Sequence, residues 1–243
     1  MAAIRLVRHA TLLVEVGDVT VLVDPMLSEA GALDPIPNTP NDRRNPLVGL
    51  PDVPLDADVV AVTHTHVDHF DDAAAEGLPA DVPVLCQPAD VDEIRTAGFE
   101  DVRPVEPSTT VGAIAVTRTG GRHGHDDLAE AMGPVSGFVF EAPGEPTVLV
   151  AGDTVWCDAL EAALETHRPD AVVVNAGGAR FVRGEPITMT VEDVRRVVAA
   201  VPEATVLAVH LEAINHCLLR REALRSAVPD VTIPADGERV VLD

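Results

Sequence analysis

Residues Val59-Val60-Ala61-Val62-Thr63 form a short apolar run that passes directly into His64-Thr65-His66-Val67-Asp68-His69. An apolar run of this length, bounded by polar residues, reads as a buried strand. The strand therefore delivers three imidazoles and a carboxylate to the turn that follows it. That juxtaposition constrains the fold more than any other segment, because so dense a polar cluster must be brought to an edge where its donors find partners. Imidazole nitrogens and carboxylate oxygens suit Zn²⁺ and similar first-row divalent ions. Four such groups within six residues, splayed by a turn, can face two adjacent metals. A solvated His/Asp loop would account for a lone histidine but not for this cluster.

The rest of the pattern supplies other strand ends. Ile4–Arg8, Leu12–Val16 and Val19–Val23 read as strands, the last two joined at Gly17-Asp18, a hairpin signal. Strands are also expected at Val82–Cys86, Ile114–Thr119, Gly137–Glu141, Thr147–Ala151, Ala171–Asn175 and Thr205–Val209. Helices are expected after an Asp71-Asp72 cap, near Ala89–Ala97, and around Asp158–Thr166, Val191–Ala200 and Arg220–Ala227. Strand-rich stretches with helices interposed in each half suggest two packed sheets with helices outside. Asp153 and His210, like His64, stand just past strand ends, so distant residues are expected to converge at one edge. No linker divides the chain, and residues 1–243 are expected to form one domain. The Pro-, Asn- and Asp-rich segment 25–54 is expected as a long loop near the active site.

With 40 acidic residues against 17 basic ones, the formal charge is −23. Such a chain repels phosphate backbones, and aromatic residues for base stacking amount to 2%, so nucleic acid is not expected as a partner. No apolar stretch approaches the ~20 residues that span a bilayer, and the N-terminus lacks a signal-peptide core. Three separated cysteines, Cys86, Cys157 and Cys217, give no disulfide framework and fit a reducing compartment. These features place the chain in the cytoplasm; a homo-oligomer is left open.

His-x-His-x-Asp-His, followed by Gly121-Arg122-His123-Gly124, by Ala151-Gly152-Asp153-Thr154 and by His210-Leu211-Glu212-Ala213-Ile214-Asn215-His216, with Val23-Asp24-Pro25 before it, resembles the metallo-β-lactamase superfamily. More narrowly it is similar to the ascorbate-6-phosphate lactonase-like metal-dependent hydrolases. The resemblance runs from about His9 to His216. It implies an α/β fold, the four-layer αββα sandwich with two mixed sheets and helices outside. It also implies two divalent ions, zinc first, with manganese or iron as alternatives. His64, His66 and His123 would hold one ion, Asp68, His69 and His210 the other, and Asp153 would bridge them. His125 competes with His123 for the third position; otherwise it is a loop or outer-shell residue. Asp24 resembles the family's outer-shell aspartate, which fixes a ligand's tautomer, although a plain Asp-Pro turn is the alternative reading. His9 reads as an outer-shell residue, a substrate contact or a core histidine. Asn215 and His216 read as pocket-lining, with a cap role open for Asn215.

The chemistry implied is hydrolysis by a metal-bridging hydroxide, with Asp153 and Asp68 as the catalytic carboxylates and an ester, lactone or phosphoester of a small molecule as substrate. A redox enzyme with iron in the same site and a nuclease of the same superfamily are the alternatives. Arg43 and Arg44, in the long loop, are candidate contacts for an anionic substrate, with pairing to surface acids as the competing reading.

Overall fold

The computed structural model describes residues 2–242. Strands β1 (Ala3–Arg8), β2 (Thr11–Val16) and β3 (Val19–Val23) form an antiparallel meander. Gly17, at φ 63°, opens the two-residue turn between β2 and β3, a position that strains residues bearing a Cβ. The chain continues through β4 (Val59–Val62), α1 (Asp72–Gly77), β5 (Val84–Cys86), α2 (Val91–Thr96) and β6 (Val102–Pro104). The second half contains β7 (Ser108–Val111), β8 (Ile114–Gly120), α3 (Asp126–Met132), β9 (Ser136–Glu141), β10 (Val148–Val150) and α4 (Asp158–His167). It ends with β11 (Ala171–Asn175), α5 (Val191–Ala200), β12 (Thr205–Val209), α6 (Arg221–Ala227) and β13 (Arg239–Val241).

One sheet has the order β13-β1-β2-β3-β4-β5-β6, the other β12-β11-β10-β9-β8-β7. Both are mixed: β3 to β6 and β10 to β12 run parallel, while the remaining pairs are antiparallel. Alternation explains the layers. Leu12, Val14 and Val16 face the space between the sheets, where they meet Val116, Phe138, Phe140 and Val173 of the second sheet. The opposite faces are equally apolar. Val60, Val62 and Val84 pack under Ala74 of α1 and Ile94 of α2, while Val172 and Val174 pack with Leu160, Val194 and Leu224 of α4, α5 and α6. Strands buried on both faces read as unbroken apolar runs, and these do. The result is the metallo-β-lactamase-type sandwich, helices–sheet–sheet–helices.

Four elements were not anticipated. β6, β7 and β13 are three- or four-residue strands at or next to sheet edges, where β7 alternates exposed and half-buried residues instead of presenting an apolar run. α3, with no buried residue, lacks the amphipathic stripe that marks a helix. The helix expected near Ala89–Ala97 is a 3₁₀ turn at Pro88–Asp90 running into α2. Between β3 and β4 there is neither helix nor strand.

The start of that loop is held by charge. Arg8 is fully buried, and its guanidinium donates to the carbonyls of Met26 (2.6 Å), Ser28 (3.0 Å) and Val48 (3.2 Å). From the other side Asp71, the N-cap of α1, accepts from Leu27 N and Ser28 N as well as from Ala74 N. Removing the guanidinium leaves three carbonyls with no donor in a closed space. Arg8→Met is therefore expected to cost about 3 kcal/mol in denaturant unfolding of the metal-free protein, and an effect under about 1 kcal/mol would refute this role for Arg8.

Candidate metal centre

β1, β3 and β4 in the first sheet, and β8, β10 and β12 in the second, end at one edge of the sandwich. Each is followed within three residues by a titratable side chain: His9, Asp24, His64, His123, Asp153 and His210 respectively. Several of these chain ends turn through left-handed backbone. His9 (φ 59°), Asp24 (46°) and His210 (65°) adopt it despite their side chains, and Gly152 (68°) precedes Asp153. A Cβ at Gly152 would lie 2.4 Å from Ser136 O, so only glycine fits there.

Four rings share one arrangement. The Nδ1 of His69 lies 2.7 Å from Asp24 Oδ2, that of His123 2.9 Å from Ile187 O, that of His64 3.1 Å from Thr63 Oγ1 and that of His210 3.4 Å from Cys217 Sγ. Because Thr63 Oγ1 donates its own proton to Asp24 Oδ2, it is left to accept from His64. With Nδ1–H spent outward, each Nε2 lone pair turns inward. The Nε2 atoms of His69 and His210 are buried and have no hydrogen-bond partner.

The inward atoms are spaced as ligands would be. Asp153 Oδ2 lies 3.4 Å from both His69 Nε2 and His123 Nε2, while its Oδ1 lies 3.3 Å from His210 Nε2. Asp68 Oδ2 is 3.6 Å from His210 Nε2, and His64 Nε2 is 2.9 Å from His66 Nδ1. Metal–ligand bonds of ~2.1 Å in a tetrahedral shell put neighbouring donors ~3.4 Å apart. The donors gather as His64, His66 and His123, as His64, His69 and Asp153, and as His9, Asp68, His69 and His210. Asp153 thus reaches both halves, its Oδ2 shared between His123 and His69 and its Oδ1 turned to His210, and Asn175 Nδ2 fixes it through Oδ1 at 2.7 Å. The residues present therefore fit divalent metal ions.

Their charges agree. Burial alone would raise the Asp153 carboxyl, but His210, His69 and His123 hold it well below the carboxylate range. Burial opposes ionisation of Asp68 too, and the neighbouring His210 and His9 rings reverse it. Burial and neighbouring rings push His64 well below the usual imidazole value, and burial lowers His123. Those two rings are neutral near pH 7, ready to ligate. In His69, Asp153 and Asp24 outweigh burial and hold the pKa well up, so without metal its Nε2 carries a proton that a bound ion would displace.

Beside the cluster is a cavity of about 170 Å³, where His66, Asp68, His123 and Asp153 meet Ile36, Val67, Met132, Phe181 and His216. A larger depression of about 860 Å³ between the C-terminal parts of α4 and α5 is lined by surface residues such as Glu161, Arg168 and Glu203 and holds none of this chemistry. His216 stacks on Phe181 with centroids 6.3 Å apart, and burial lowers its pKa to about 4.

Other expected site residues lie elsewhere. His125 caps the start of α3 and faces Arg122, outside the cluster. Asn215 does not line the cavity; its side chain is consumed by Ile36, Thr39, Asn41 and Asn45 of the long loop, which it clamps. Arg44 is bound to Asp34 and to the carbonyls of Gly31 and Ala32, at the surface. Arg43 borders a separate depression with Glu212 and Arg220. The contrast of two arginines in an acidic loop suggested a substrate contact, but local pairing takes the first and position removes the second. Asn175, Cys217 and the carbonyl of Ile187 were missed, since no motif spacing connects them to the groups they touch.

A family model described as a beta-lactamase superfamily domain matches residues 20–211. The chain is 40% identical to UPF0173 protein YddR of Bacillus subtilis, with 96% of each chain covered. Among solved structures it is similar to an isothiocyanate hydrolase from Delia radicum gut bacteria, at 36% identity, 99% coverage of both chains and a TM-score of 0.93. A possible metal-dependent hydrolase from Veillonella parvula matches at 33% identity and TM-score 0.94, covering 100% of this chain and 99% of that one.

Asp153→Ala is expected to lose most of its bound metal while remaining folded, because a single carboxylate reaches both halves. Elemental analysis showing wild-type metal content would contradict this. His123→Ala should lose metal and His125→Ala should not, an order that a loss confined to the second variant would overturn.

Proposed function

The chain belongs to the beta-lactamase superfamily and is a metal-dependent hydrolase, and from that premise we propose that its substrate is a small, uncharged, apolar-tailed electrophile of the isothiocyanate class. The observation that carries this reading is the cavity. It offers Ile36, Val67, Met132 and Phe181 to a substrate tail and, among the described residues, no lysine or arginine to an anion. A volume of about 170 Å³ suits a short alkyl or arylalkyl chain. The likeness to an isothiocyanate hydrolase over the full chain supports the same class. Esters and lactones with compact apolar groups share the requirement for an electrophilic carbon. Phosphoesters would find only the bound ions for their charge, with no lysine or arginine among the described residues lining the cavity.

Bound divalent ions would lower the pKa of coordinated water towards ~7 and polarise the substrate heteroatom. Zinc suits the mixed nitrogen and oxygen donors, as do manganese and iron. The chain's own groups do the rest. His64, His66 and His123 would hold one ion, Asp68, His69 and His210 the other, and Asp153 both. Asp68 lines the cavity as an ionised carboxylate, placed to take the proton released as water adds to the central carbon and pass it to the leaving nitrogen. The sum is R–N=C=S plus water giving R–NH₂ and carbonyl sulfide. Phe181, stacked on His216, would orient the tail.

The test is a panel of benzyl and phenethyl isothiocyanates, lactones, aryl esters, phosphomonoesters and phosphodiesters, run with protein of known metal content. The isothiocyanates should be turned over with kcat/KM at least about tenfold above the others. Phe181→Ala should raise KM about tenfold for phenethyl isothiocyanate with little change in kcat. Turnover of phosphoesters alone would overturn the substrate class, and iron retention with no hydrolysis of any panel member would favour a redox enzyme.

A further inference from the structure

His9 is buried and does not line the cavity, so it is no substrate contact. It nevertheless sits against the centre. β1 ends at Arg8, and His9 follows in left-handed backbone, its carbonyl accepting from His210 N at 2.9 Å. Its ring lies over that of His210, centroids 3.7 Å apart and tilted by 37°. Its Nε2 is 3.2 Å from Asp68 Oδ2, nearer than the His210 Nε2 at 3.6 Å.

This ring reverses the arrangement of the other four. His64, His69, His123 and His210 direct Nδ1 to an outer acceptor and leave Nε2 for the centre, whereas His9 Nδ1 is buried without any partner. A proton on Nδ1 would be an unpaired buried N–H, a costly arrangement. On Nε2 the same proton makes a charge-assisted hydrogen bond to a carboxylate. The tautomer is therefore Nε2–H, and a nitrogen carrying that proton cannot bind a metal.

We propose that His9 is a positioning residue: its Nε2–H holds the Asp68 carboxylate in the orientation that ligates the second ion, while its ring buttresses His210 of the same site. Asp68 is buried on the turn that follows β4, with Val67 exposed beside it, and it already borders the cavity; without this donor its carboxylate loses the nearest group that fixes its orientation. The left-handed backbone of a non-glycine residue is the strain expected where position matters more than stability. The proposal rests on the ligand set given above.

The test uses metal-free protein titrated with Zn²⁺ or Co²⁺ against a competing chelator. Wild type should take two ions. His9→Phe keeps a ring over His210 but loses the donor, and it should bind the first ion as wild type does and the second 10–100-fold more weakly. His9→Gln, whose amide nitrogen reaches the Nε2 position, should recover most of that loss. The visible spectrum of Co²⁺ in the second site should change in the Phe variant and revert in the Gln variant. Wild-type affinity for both ions in His9→Phe would overturn the proposal while leaving the ligand set intact; a wild type that binds fewer than two ions would instead overturn the ligand set. Ring ¹⁵N spectra of the wild type need no variant. A protonated Nε2 at His9 with metal bound is expected, and a metal-bound Nε2 would make His9 a ligand and refute the positioning role.

Discussion

Asp24 carries the join on which the centre depends. Its carboxylate accepts from Thr63 N, from Thr63 Oγ1 and from His69 Nδ1, all at 2.7 Å. It thereby ties the end of β3 to the end of β4 and to the far side of the turn that follows. The same bonds set the protonation of two rings, since Thr63, once committed to Asp24, must accept from His64. A ring whose outer nitrogen is occupied has a single nitrogen left for a metal, and its direction is fixed before any metal arrives. Preorganisation of this kind reduces the ordering that binding would otherwise have to impose.

The second sheet solves the same problem with different chemistry. His123 uses a backbone carbonyl and His210 uses a thiol, Cys217, whose pKa burial holds well up, so it stays a neutral partner. Gly177 makes that last contact attainable: a Cβ there would lie 2.8 Å from His210 Nδ1 and 2.9 Å from Cys217 Sγ. Left-handed residues at the ends of β1, β3 and β12, and Gly152 after β10, turn the chain sharply where the sheets stop. Strain is concentrated at the edge, while the apolar layers between and outside the sheets supply the stability that tolerates it.

What the sequence made legible follows from this division. The runs that became β3–β5 and β10–β12 are mostly apolar on both faces, so they stand out by composition, and much of the chemistry stands at their ends. The His64–His69 turn, Asp153 and His210 could be picked out because each directly follows such a run. The outer partners could not. Asn175 is the last residue of a buried strand, Cys217 reads as core, and Ile187 contributes only a carbonyl. Short strands such as β7 and β13 depend on pairing that a local window does not contain. Arg43 and Arg44 drew attention through charge contrast, but charge in a loop does not specify direction, and the loop turns them away from the cavity. Arg8 went unremarked as one more residue of a strand, although it anchors that same loop.

The central claim is that one carboxylate, Asp153, joins two metal positions, each built from residues of both sheets. Anomalous diffraction at the zinc edge, from crystals of zinc-loaded protein, tests it most directly. Two peaks about 3.5–4 Å apart, one beside His64, His66 and His123 and the other beside Asp68 and His210, with Asp153 between them, are the predicted result. A single peak, or peaks away from Asp153, would contradict the account.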